Sequence, residues 1–394
     1  MNKLIPITFL TLFFSCAKDT DPATDQSDFT RIYDNNRFDA SYYPIDLKQT
    51  QDGGFLILGG RKLDSSPFSG TYLLKTDQYG AFVSELEVAE NIVAPIGPLS
   101  DINNKYYFFS MTPVGLQTQL NEVDPNGTIT KTTVLGGSYP TAAYNDNGSF
   151  LLLRYDNFNK ESVIAKVTTA GSVTQSKGFT IGAGDGVEEK FISHFIRTGR
   201  KFPFQVGKTL SGQFFFNGFY NYNFSLVFTD LSASTPTGVA IGQQEDGGFS
   251  SILPLEGNRY ATARFNFGDN YLIPNTTMIS SGISSIVDLE GNNLPELSAN
   301  STVKILTVNL NGRVIIIYGT NTRSNQIALY GYEKTNGKLL GSRYLGYSNP
   351  FEISAMISTL DGGLAVSGTT YVAGRFPRIC LFKISKNELI KSFK

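Results

Sequence analysis

The side chains of this chain best suited to chemistry are few. Its single histidine, His194, stands in the segment GDGVEEKFISHFIRTGRKF. Glu188, Glu189 and Lys190 precede it, Phe191, Ile192 and Phe195 share one helical face, and Arg197, Arg200 and Lys201 follow. That order predicts a short helix with charges placed to suit its dipole. One imidazole without Cys or His at ligand spacing does not make a zinc site, and no Asp-x-Asp-x-Asp-Gly loop offers one for calcium. As a general base His194 would need a nucleophile within reach, and no motif supplies one. It is read as a solvated loop histidine. His194, Arg197, Arg200 and Lys201 are the candidate contacts for an anionic group on a partner; no catalytic residue, metal site or cofactor is assigned.

Carboxylates are plentiful, but Asp77, Asp124 and Asp288 fall in or beside turns, where Asp caps the backbone. Paired acids for glycoside hydrolysis are defined by a separation in space that spacing along the chain does not encode. Neither a phosphate-binding Gly loop nor a G-x-S-x-G elbow occurs. Phe214 to Phe216 and the many tyrosines could stack on sugars, yet strands buried on both faces need such side chains for packing. Of the two cysteines, Cys380 lies in RICLFKIS between apolar neighbours and reads as a small buried hydrophobe. A net charge of −1 gives no bulk electrostatic case for nucleic acid.

The frame that must hold these residues is a repeat. TQDGGFLILGG from Thr50 has approximate copies in DINNKYYFFS from Asp101, NDNGSFLLLR from Asn145, TLSGQFFFNG from Thr209, PLEGNRYATA from Pro254, NLNGRVIIIYG from Asn309 and TLDGGLAVSG from Thr359. Each is a Gly- or Asn-containing turn running into aromatic and β-branched residues, which predicts a two-residue hairpin turn between strands. A fainter second hairpin follows each copy, as in TYLLKTDQYGAFVSELEV, so each unit has four strands. Turns near 53, 104, 148, 212, 257, 312 and 362 recur at close to the roughly 40 to 50 residues of a propeller blade. The longest interval contains the His194 segment. Glu245 to Phe249 is assigned to a loop between units, with Glu256-Gly-Asn258 as the true turn.

Runs such as LILGG and VIIIYG are apolar on both faces and need a neighbour on each side, which a closed ring provides for every unit. The expected fold is therefore all-β, a single seven-bladed β-propeller of four-stranded blades. The blades are placed at about 41–95, 96–138, 139–200, 201–246, 247–299, 300–348 and 349–394. Residues 29–34 resemble a stray fourth strand and are expected to join the last blade. Because LIKSF near the C-terminus also looks like a fourth strand, the N-terminal one either lies outside it or displaces it.

The T-x-D-G-G-F-x-x-x-G pattern, with the later Lys75-Thr76-Asp77-Gln78-Tyr79-Gly80 turn, resembles the repeat of bacterial DGGF-type β-propellers found among surface lipoproteins of Bacteroidota. The likeness covers nearly all of residues 41–394 and supports the fold; it implies no catalytic set. The start of the chain, MNKLIPITFLTLFFSC, has the layout of a secretory signal, too short to span a bilayer. Its Ser-Cys ending resembles the lipobox of bacterial lipoproteins, with an ordinary secretory signal as the alternative. The resemblance implies a signal peptide over 1–15, cleavage before Cys16, lipidation of Cys16 and a polar tether over 16–28. It also implies an outer-membrane location, on either the periplasmic or the surface face. The expected function is a lipid-anchored, non-catalytic binding or scaffolding module for an envelope protein or glycan. The alternative is a polysaccharide- or peptidoglycan-active hydrolase or lyase using carboxylates at the channel mouth.

Overall fold

The structure, a computed structural model, describes residues 28–34, 41–64, 66–182, 186–196, 199–347, 349–372 and 376–394. Cys16, the signal segment, nearly all of the tether and Arg197 lie outside them.

Strand β1 (Phe29–Tyr33) comes first. The first repeat supplies β2 (Tyr42–Gln49), β3 (Phe55–Arg61), β4 (Gly70–Thr76) and the start of β5 (Phe82–Ile102), which runs on into the second repeat with β6 (Lys105–Met111), β7 (Gln117–Val123) and β8 (Ile129–Ser138). The third holds β9 (Pro140–Asp146), β10 (Ser149–Asp156), β11 (Glu161–Thr168), β12 (Val173–Thr180) and helix α1 (Val187–Phe195). The fourth holds β13 (Gln205–Lys208), β14 (Phe214–Tyr220), β15 (Asn223–Thr229) and β16 (Gly238–Ile241). Then come β17 (Gly247–Pro254), β18 (Arg259–Asn266), β19 (Asp269–Thr277), β20 (Gly282–Ser285) and β21 (Asn292–Asn293), followed by β22 (Val303–Leu310), β23 (Arg313–Asn321), β24 (Ile327–Glu333) and β25 (Leu339–Leu345). The last repeat is β26 (Phe351–Ser358), β27 (Leu364–Val372), β28 (Phe376–Ile384) and helix α2 (Lys386–Ser392).

These strands form a β-propeller. Within each repeat they pair as antiparallel neighbours, and the first strands, β2, the second half of β5, β9, β13, β17, β22 and β26, stand next to one another in that order until β26 returns to β2. The expectation of separate four-stranded blades is corrected in two places. Strand β5 is continuous across the first two repeats, so β2 to β8 are one seven-stranded sheet; β20 crosses from the next repeat to pair in parallel with β16, giving a five-stranded sheet. Apolar clusters fill the gaps between sheets. Tyr42, Leu47, Phe55 and Ile57 meet Ala355, Ala365, Ile379 and Leu381 in the cluster that joins the first repeat to the last.

The chain ends meet in one sheet. β1 pairs antiparallel with β28, from Phe29 opposite Lys383 to Tyr33 opposite Ile379. Asp28 accepts a hydrogen bond from the Ser385 N–H at 2.5 Å, and Asp34 one from Arg378 Nε at 2.9 Å. The C-terminal segment expected as a competing strand is instead α2, with Ser385 as its N-cap accepting from Glu388 N.

The expected two-residue hairpin holds at Asn103–Asn104, Asn147–Gly148 and Asn311–Gly312, where both residues have positive φ, but the turn at Thr50 is of another kind. Thr50 N–H donates to Gly54 O and Gly53 N–H to Thr50 O, both at 2.9 Å, closing a three-residue loop with a bulge. The same bond pair recurs at Asp77–Ala81, Asp124–Thr128, Thr168–Ser172, Thr209–Gln213, Thr322–Gln326 and Thr359–Gly363. The fourth position is left-handed, φ 81° at Gly53 and 77° at Gly362, which is why Gly dominates there. The following Gly54 and Gly363 have no room for a Cβ, which would strike Thr76 O and Ile384 O. The loop assignment of Glu245 to Phe249 needs trimming, since β17 already begins at Gly247; the turn at Glu256 to Asn258 joins β17 to β18.

Candidate functional site

The first strands of the repeats surround a central cavity of about 760 Å³, and the His194 insertion contributes to its wall. Helix α1 covers part of one end of the ring because its apolar face has aromatic partners there. Phe191 stacks on Tyr155 at 4.0 Å between centroids, Phe195 on Tyr139 at 6.1 Å, and Glu188 accepts from the Tyr139 hydroxyl at 2.9 Å. Phe202 and Phe204, after the helix, pack on Phe219 and Phe224. The insertion is therefore part of the core rather than a surface loop.

His194 is corrected accordingly. It lies on the helix with its ring edge-on to Phe195 and Phe204, and its Nδ1 accepts the Phe202 N–H at 3.0 Å. Burial, helped by the nearby Lys201 charge, pulls its pKa down to about 3. The neutral ring with its proton on Nε2 satisfies the Phe202 bond, and protonating Nδ1 would break it. The neighbouring cations are engaged inside the chain. Arg200 pairs with Asp246 at 3.3 Å and hydrogen-bonds Glu245 O, Lys190 pairs with Glu245 at 2.7 Å, and Lys201 caps the helix end through His194 O and Ile196 O at 2.5 and 2.7 Å.

The cavity wall brings together three of the sequence candidates, His194, Arg200 and Lys201, with ionisable groups from strands that gave no signal in the sequence. Asp46 on β2 and Lys304 on β22 line the cavity on either side of β26, which contributes Glu352 and Ser354. Asp46 Oδ2 accepts the Leu99 N–H at 2.7 Å. Desolvation dominates both: it raises the Asp46 carboxyl against the pull of Lys48, the Leu99 and Leu47 N–H groups and Lys304, and lowers the Lys304 ammonium against Asp46. Four first strands also carry a bulge that leaves one residue unpaired at the channel, at Ile45, Thr141, Ser250 and Ser354. The rest of the wall is mostly Ser, Thr, Asn, Pro and aliphatic residues.

The remaining sequence candidates are structural. Asp77 Oδ1 accepts from Tyr79 N and Ala81 N, and Asp124 Oδ1 from Asn126 N and Thr128 N, all at 2.8 to 2.9 Å. Asp288 sits in an exposed turn. Phe214, Phe215 and Phe216 are buried between sheets, and Cys380 is buried on β28 with its thiol pushed well up by desolvation.

No family model matches the chain, and no curated protein is similar to it. Solved structures resemble it in fold alone. The β-propeller domain of the Trilobed protease from Pyrococcus furiosus, described as having an open velcro topology, is 8% identical, with 88% of this chain and 95% of that one covered at a TM-score of 0.47. A protein of unknown function from Dyadobacter fermentans is 11% identical over 90% and 99% of the two chains at 0.44. An alpha-L-arabinanase from Penicillium chrysogenum, complexed with arabinobiose, is 12% identical over 92% and 99% at 0.46.

Proposed function

We propose that this chain is a lipid-anchored propeller of the bacterial outer membrane that acts as a non-catalytic binding or scaffolding module for an envelope protein or glycan. We count its ring as seven blades, with the two halves of the long sheet as separate ones; the packing of Leu56, Leu58 and Leu73 against Tyr106, Phe108 and Val123 supports that count. The observation that carries the functional reading is how the polar groups of the insertion are used. The imidazole, Arg200, Lys190 and Lys201 hold the insertion in place, and a ring nitrogen with so low a basicity is a poor proton acceptor near neutral pH.

A contact surface is available on the same end of the ring. Turns between second and third strands lie at the end that carries the connections between repeats, and three of them present large exposed apolar side chains: Val114 (87%), Phe158 (94%) and Phe267 (72%). They stand on separate turns and would give a partner docked across this end three apolar points of contact. The test is crosslinking in intact cells of the source bacterium, recovery of the tagged chain and mass spectrometry of what is attached. A reproducible envelope partner, lost when Phe158 and Phe267 are changed to Ser, is expected. Recovery of the chain alone at good crosslinking yield, together with turnover of polysaccharide or peptidoglycan, would move the reading to the hydrolase. Deleting the insertion is a poor test, because Phe191 and Phe195 belong to the core.

A further inference from the structure

We propose that the channel is a binding site for a small zwitterion, a free amino acid or short peptide, whose carboxylate is taken by Lys304 and whose ammonium group is taken by Asp46. The proposal concerns the inside of the ring and does not rest on the envelope partner proposed above.

The argument starts from how this chain treats its other enclosed lysines. Lys75 is bound to Asp52 at 2.9 Å and Lys383 to Asp361 at 2.7 Å, each within a turn that fixes the carboxylate. Lys304 is the exception. It lines the cavity, and among the described residues it has no hydrogen-bond or ion-pair partner. Asp46, its opposite in charge, is positioned by the Leu99 N–H through Oδ2 and is also approached by the Leu47 N–H, but no cation closes on it among those residues. The two groups do not approach within the 4.0 Å of an ion pair.

A partly buried cation and a partly buried carboxylate that face the same cavity without closing on each other are each open to a complementary group. Each lacks the complement that the other would supply, and a molecule that fits between can bring one negative and one positive group, with Glu352 on β26 as a second carboxylate beside the ammonium end. The strand order places them on the two neighbours of β26, with the unpaired Ser354 between, and Thr302 and Asn300 add neutral donors and acceptors beside Lys304. The cavity's size suits a small molecule, and its mixture of apolar wall and a few polar groups is that of a ligand pocket. A carboxylate on Lys304 and an ammonium on Asp46 would each form a charge-assisted hydrogen bond.

The test is isothermal titration of the mature chain with L-alanine, L-alanyl-L-alanine and the tripeptide, each also as the N-acetyl and the C-terminal amide form. Saturable binding of at least one free form is expected, weakened roughly tenfold or more by either cap. Lys304→Met is expected to abolish the preference for free acid over amide, and Asp46→Asn the preference for free amine over acetylated amine. The capped series on the unaltered protein tests the proposal even if a variant fails to fold. Absence of saturable binding by all three free forms at millimolar concentration overturns it, as does equal binding of capped and free forms. Loss of binding on amidation with none on acetylation would mean an anion site at Lys304 alone, and the zwitterion assignment would fail.

Discussion

Lys383 shows what the repeated Thr-x-Asp-Gly-Gly turn is for. Its side chain has no exposure and its ammonium meets Asp361, itself only 8% exposed, while Asp361 also accepts from the Thr359 hydroxyl and Gly363 N–H. Burial would raise the Asp361 carboxyl, but the bonds from Lys383, Thr359 and Gly363 outweigh it and hold it below the usual carboxylate range. The first repeat has the same lock between Lys75 and Asp52, except that Asp52 is 63% exposed. The two locks should therefore respond differently to loss of the lysine. Lys383→Met leaves an enclosed carboxylate without its partner and is expected to cost about 3 kcal/mol. Lys75→Met leaves a carboxylate that water can solvate and should cost about 1 kcal/mol or less. Urea unfolding at pH 7 measures both, and equal losses would show that the lysine stems, not the pairing, carry the effect.

At the scale of elements, helix α1 supplies a pH test of its packing. An unfolded histidine takes up a proton below about 6.5, whereas His194 in the fold resists until about 3. Because the folded value is depressed, the stabilisation is whole above the unfolded value and is lost as pH falls from there toward the folded one. His194 alone should cost about 2 kcal/mol between pH 7 and pH 5. His194→Asn, whose amide oxygen can accept the Phe202 N–H, should be less sensitive by that amount in thermal or urea unfolding; the same pH slope in both proteins would place His194 in water. The order of strands was legible because turn residues and apolar runs are local signals: Asp77, Asp124 and Phe214 to Phe216 do what their types and settings predict. The end of the chain was misread although its signal was present. Ser385-Lys-Asn-Glu388 has the spacing of a capping box, and it marks a helix where LIKSF alone suggests a strand. The channel pair was not legible. Asp46 in YYPIDLKQ and Lys304 in VKILTVNL look like ordinary strand charges, and only closure of the ring sets them on one cavity. The continuity of β5 escaped for a similar reason, since pairing with strands on both sides, not its own residues, carries it from one repeat into the next.

For the whole molecule, closure is where a circular sheet arrangement is most exposed. Most neighbouring sheets are linked by chain, but the first and last repeats are held by β1 on β28, the Asp34 to Arg378 pair, the Tyr33 hydroxyl on Gly80 O and the shared apolar cluster of Tyr42, Phe55, Ala355 and Ile379. If this seam opens first during unfolding, tying it covalently should protect the entire ring. The register offers a way to do so, because Ile32 on β1 is the direct partner of Cys380 on β28. Directly opposed residues in an antiparallel pair lie within the separation a disulfide needs. In a Cys16→Ser background, Ile32→Cys refolded under oxidising conditions is expected to form a bond to Cys380 and to raise stability by about 2 to 4 kcal/mol over its reduced form. The loop so closed contains nearly the whole propeller, so the restraint on the unfolded chain is large. Urea unfolding of the oxidised and reduced protein gives the answer. An oxidised form that unfolds at the same midpoint, with the disulfide verified by mass, would mean that the ring opens at another gap, and the seven-stranded sheet, the five-stranded sheet and the His194 insertion would become the places to look.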